Sequence, residues 1–183
     1  RPPGSTLFPY TTLFRSSIGS HIHKLSNAED AREIKPFRKV KSISHETTFE
    51  KDTNDEVFLK KTLWGLCEKV SDRAKKRGLG GSTINLKIKT KDFKLISRSV
   101  TIEEPTQIAE IIFQTSKLLL LREIKKNKFR LLGVGLSNLK DSEICDLYDL
   151  INTNNRKEKN IEFAIDTIRN KYGINLIKKG RSI

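Results

Sequence analysis

The side chains able to do chemistry in this chain are mostly cations, and the clearest are spaced for one surface. In Ile84-Asn85-Leu86-Lys87-Ile88-Lys89 the apolar residues alternate with Asn85, Lys87 and Lys89. A period of two sends Ile84, Leu86 and Ile88 to one side of a strand and the amide and ammonium groups to the other. The stretch Lys41-Ser42-Ile43-Ser44-His45-Glu46-Thr47-Thr48-Phe49 repeats the pattern with hydroxyls, Ser42 and Ser44 opposing Ile43 and Phe49. Ammonium and guanidinium groups neutralise phosphates, and small hydroxyls let backbone amides approach them. The candidate anion-binding set is therefore Lys41, Ser42, Ser44, Asn85, Lys87 and Lys89. Arg98 is expected to join them as the guanidinium of a neighbouring strand, although Ile96 and Val100 share its side. The plainer alternative is a solvated sheet face carrying ordinary lysines.

Other chemistries find little support. His21 and His23 form an HxH pair with no carboxylate or thiolate nearby to complete a metal site. Cys67 and Cys145 are the only cysteines, in no CxxC pattern, so neither a disulfide framework nor zinc is indicated. Gly78, Gly80 and Gly81 lack the Gly-Lys-Ser/Thr of a phosphate loop and read as a helix-to-strand connection. Cys67 falls near the apolar stripe of its helix, and Trp64 is expected to pack at that helix's edge. No Ser/His/Asp arrangement is legible. No catalytic residue, cofactor or metal ligand is assigned.

The charge balance agrees with the cations. Lys and Arg total 36 against 22 Asp and Glu in 183 residues, a formal charge of +14. Such a surplus attracts polyanions, either nucleic acid or an acidic membrane surface. The longest apolar run is Leu118 to Leu121, far short of the ~20 residues of a membrane span, and no secretory signal appears. The cytoplasm is the expected compartment, with a monomer as the expected state and no membrane partner. Methionine is absent and the chain opens at Arg1, which reads as a fragment. Residues 1–16 (RPPGSTLFPYTTLFRS) have no clear period and resemble translated adapter or vector sequence.

The elements that must position the cations follow from periodicity. After a disordered N-terminus, residues 17–26 could be the tail of a helix, and residues 27–40 read as a linker. A strand over 41–49 precedes a helix capped by Asp52 or Asn54, with Leu59, Leu63, Leu66, Val70 and Ala74 inward and Gly78 as its stop. A strand over 83–90 turns through Lys91-Asp92 into a partner over 94–102. Pro105 is expected in the first turn of a helix reaching about Lys126, with Ile108, Ile111, Ile112 and Leu119 inward. Residues 129–139 form a fourth strand. The order β-α-β-β-α-β predicts an α+β fold, an antiparallel four-stranded sheet with two helices on one face. Residues 141–158 read as a loose connector before a terminal helix over about 157–172 and a basic tail. The segments are 1–16 non-native, 17–40 linker, 41–139 binding domain and 140–183 tail. RNA-recognition modules share this order but stack bases on central-strand aromatics; residues 94–100 (KLISRSV) contain none.

Four blocks carry a family resemblance. Residues 41–49 (KSISHETTF), 84–93 (INLKIKTKDF), 97–101 (SRSVT) and 130–139 (RLLGVGLSNL) resemble, in order and spacing, the little-finger domain of Y-family translesion polymerases of the DNA polymerase IV type. Residues 164–169 (AIDTIR), 171–173 (KYG) and 179–181 (KGR) resemble that family's C-terminus, and residues 17–26 its thumb remnant. The resemblance implies sequence-independent grip on duplex primer-template DNA, serving damaged-DNA bypass and repair. It places the catalytic carboxylates and their Mg2+ in a palm domain that nothing here matches, so this fragment is not expected to polymerise. It also implies a sliding-clamp peptide in the region of Leu147 and Tyr148, where the usual Gln is missing; one turn of a marginal helix is the alternative. A basic RNA- or ribosome-binding module of the same topology is the second functional reading, and a protein-interaction module with charge for solubility the third.

Overall fold

The computed structural model describes residues 17–34, 39–124, 127–146, 153–173 and 176–180. The chain divides into two compact units, Arg1–Lys39 and Val40–Ile183. Within the first, α1 (Ser17–Ser26) closes with Ser26 Oγ donating to the His23 carbonyl. Beyond it, Arg32 pairs with Asp30 at 2.7 Å.

The second unit alternates strands and helices: β1 (Ser42–Thr53), α2 (Glu56–Lys76), β2 (Leu79–Thr90), β3 (Leu95–Thr106), α3 (Ala109–Ile124), β4 (Phe129–Asp141) and α4 (Thr153–Tyr172). The strands form one antiparallel sheet in the order β1-β4-β2-β3. β4 and β2 are therefore central. Each helix crossover, β1 to β2 and β3 to β4, straddles one intervening strand. Alternation decides the inner face: Ile43, Phe49, Ile84, Leu86, Ile88, Leu132, Val134 and Leu136 are all buried beneath α2 and α3. Trp64 is 1% exposed, with its ring edge-on to Phe113 at 5.4 Å, so it lies in the core and not at a helix edge. Cys67 is fully buried beside Ser116, as its place near the apolar stripe suggested.

Several boundaries differ from the sequence reading, each for a local reason. The α2 cap is Asp55, one residue past the expected pair; its carboxylate accepts from the amides of Val57 and Phe58. The helix ends where expected, Gly78 taking the left-handed φ of +62° that a side chain resists. The β2–β3 hairpin runs on to pair Gly81 with Thr106, which leaves Pro105 buried in β3 and not in a helical turn. Edge strands tolerate proline because one side of their ladder is unpaired.

The terminal helix is docked, and charge is what docks it. Glu162, 7% exposed, accepts from the Ala109 amide with both carboxylate oxygens at 3.0 Å, from Ser71 Oγ at 2.9 Å and from Lys75 Nζ. The carboxylate thus caps α3, whose first amides have no helical partner. Arg169 of α4 pairs with Glu68 of α2 at 2.9 Å, and Lys179 with Glu110 of α3 at 3.2 Å.

Candidate nucleic-acid interface

With both helices on one side, no described element of this unit covers the other face of the sheet, and strand register fixes what it carries. Reading across β1, β4, β2 and β3 gives four rungs: Ser42-Ser137-Thr83-Thr101, Ser44-Gly135-Asn85-Ser99, Glu46-Gly133-Lys87-Ser97 and Thr48-Leu131-Lys89-Leu95. One end is a hydroxyl surface knitted by its own hydrogen bonds. Thr83 Oγ1 lies 3.0 Å from Thr101 Oγ1 and accepts from Asn138 Nδ2, while Asn85 Nδ2 donates to Ser137 Oγ at 2.9 Å. The other end carries the ammonium groups. No rung holds an aromatic ring.

The third rung has a built-in counter-charge. Gly133 bears no side chain, so Lys87 and Glu46 reach over β4 and pair at 2.8 Å. A Cβ at Gly133 would meet the Glu46 Cβ at 2.9 Å, so the rung has room only for glycine there. Lys89, one rung on, has no carboxylate within ion-pair distance among the described residues, and its ammonium lies 4.9 Å from the centre of the Phe93 ring.

Of the residues expected from sequence, Ser42, Ser44, Asn85, Lys87 and Lys89 therefore share the uncovered face. Lys41 is exposed immediately ahead of β1, outside the paired register. Arg98 is misplaced by the sequence reading. Its register partner is the fully buried Leu86, so it belongs to the helix-covered side, where Nε donates to Glu123 Oε1 at 3.0 Å. That carboxylate is 6% exposed, and a buried carboxylate needs a cation. Leu147 and Tyr148 lie outside the described residues.

One cation was missed. β4 pairs Leu131 with Lys89 but Phe129 with Thr90, so Arg130 is an extra residue, a β-bulge. The bulge turns its guanidinium to the Phe93 ring, 4.8 Å from the centre of the ring that Lys89 also approaches. A strict alternation cannot reveal such an insertion. At the β1 edge, Arg73 donates to the Ser44 carbonyl at 2.7 Å. Burial, then the charges of Lys69 and Arg73, hold the neighbouring His45 below its ordinary pKa, so the imidazole favours its neutral form. Among the described residues no His, Cys, Asp and Glu cluster could hold a metal, and no helix is long and apolar enough to cross a membrane.

Comparison with known proteins adds the family. Residues 40–147 match the impB/mucB/samB family C-terminal domain. The chain belongs to that family, the little finger of Y-family DNA polymerases of the polymerase IV type. It is 43% identical over 163 residues to DNA polymerase IV 1 of Mesorhizobium japonicum, covering 89% of this chain and 37% of that protein. To DNA polymerase IV of Brucella melitensis it is 42% identical over 164 residues, again over 37% of the relative. The chain thus spans well under half the length of these relatives. A solved Y-family DNA polymerase chimera shares the fold at a TM-score of 0.55 and 16% identity, over 70% of this chain and 38% of that one.

Proposed function

We propose that the uncovered face of this little finger binds duplex DNA through its phosphate backbones, without reading base sequence, as part of an error-prone translesion polymerase. The observation that carries the reading is the set of four rungs, hydroxyl-rich at one end, cationic at the other and free of rings. Ammonium groups and small hydroxyls suit phosphates at close range, whereas base readout in single strands needs stacking surfaces. The chain's +14 charge supplies the long-range attraction. Polymerisation, and the Mg2+ it uses, belong on this reading to a palm domain outside the matched region. The sliding clamp is a second partner on the same reading, met through the segment of Leu147 and Tyr148.

The test is a salt titration of binding to a blunt DNA duplex. Lys87→Ala and Lys89→Ala each weaken binding and make the slope of log K against log salt shallower by about 0.9, one phosphate contact apiece. Two variants that bind like the parent would remove this face from the interface. Structured RNA that competes better than duplex DNA would favour the RNA-binding module.

A further inference from the structure

The uncovered face has no ring within its rungs, yet one stands at its cationic end. Phe93 occupies the β2–β3 turn, just past the Thr48-Leu131-Lys89-Leu95 rung, and is 60% exposed. Its φ is +62°, a left-handed conformation that costs a bulky residue about 1 kcal/mol or more. A strained, solvent-facing phenylalanine gains nothing from the core. Around it gather Lys89 and Arg130, each with its charge within 5 Å of the ring centre (4.9 and 4.8 Å), and the exposed Leu95 of the preceding rung. Arg130 is held only loosely by Asp52, at 3.8 Å.

We propose that Phe93, Lys89 and Arg130 form a binding corner for single-stranded DNA, where an unpaired base stacks on the ring and its phosphates meet the two cations. An aromatic face beside cations is the combination that holds unpaired nucleotides irrespective of sequence. A base inside a duplex has no face to offer the ring, so the corner discriminates single strand from double strand while the rungs do not. The two cations sit on the ring at the ends of long flexible stems; an incoming nucleotide supplies phosphate for them as its base takes the ring. The proposal rests on the duplex reading of the rungs only for its position, which puts the corner at the end of the face, where a template strand would leave the duplex.

The experiment compares the full chain on a blunt duplex and on the same duplex with a single-stranded overhang. Phe93→Ala lowers affinity for the tailed duplex about tenfold, in the range of one lost base stack, and leaves the blunt duplex within twofold. Phe93→Trp keeps the preference for the tail. A thermal melt of each variant verifies the fold. Equal loss on both substrates, or no loss on either, overturns the proposal. Failure of the parent chain to bind blunt duplex would sink the rung reading, and a Phe93-dependent grip on an isolated single strand would still support the corner.

Discussion

Glu46 is the residue whose position matters most for its size. It is the one carboxylate in the four rungs, and it faces Lys87 over a glycine. A phosphate arriving at this rung must replace one partner of an existing ion pair while lying near its negative member. The half-exposed pair contributes little to folding, since exposed ion pairs are worth about 0–1 kcal/mol. Its effect falls on binding. Glu46→Gln tightens duplex binding severalfold and steepens the salt slope toward one further released counterion, measured by fluorescence anisotropy across a salt series; unchanged binding would mean that no phosphate visits this rung. Residue types alone made Lys87 and Lys89 legible, because the alternation around them is unbroken. Glu46 has the same parity as Ser42 and Ser44, but its pairing across β4 needed the register. Arg98 misled because a cation beside Ser97 and Ser99 looks solvent-facing until Glu123 of α3 is seen beneath it.

Among the elements, α4 was the least legible. Its apolar stripe (Ile161, Ala164, Ile165, Ile168) announces a helix, but Ile161 is 48% exposed, and the helix is anchored instead by Glu162, Arg169 and the chain beyond it. Polar docking of this kind has no periodic signature. A buried carboxylate with three sorts of donor is stabilising only as a set, and removing it leaves the Ala109 amide without its acceptor and takes from Lys75 one of its two carboxylates, Asp166 being the other. Glu162→Ala therefore lowers stability by about 3 kcal/mol in a urea titration, while leaving affinity for duplex DNA within twofold, because α4 packs on the helix layer. The order of strands and helices, by contrast, followed from hydrophobic period and turn residues. The hairpin's extension to Thr106 did not, since a proline near a run of polar residues reads as a helix start until pairing shows otherwise.

At the scale of the whole molecule, the sheet divides labour between its two sides: contacts that hold the fold lie under the helices, and the candidate contacts for nucleic acid lie opposite. Cys67 reports on the first side. It is fully buried, and desolvation pushes its thiol up to about 12, so the native protein presents no thiolate at neutral pH. In a Cys145→Ser background, labelling of Cys67 by a thiol reagent proceeds only through unfolding, and its rate rises in the Glu162→Ala variant; prompt labelling of the native chain would show a core far looser than these contacts describe. The bulge at Arg130 has a consequence for the second side. Phe129 and Leu131 stand two positions apart and would point the same way in a regular ribbon; the inserted residue lets the ring stay inside while the leucine emerges. Dropping the Arg130 codon would make the two residues neighbours, so an unbroken ladder would keep both facings and sacrifice only the guanidinium: the insertion exists for the outer surface, not for the core.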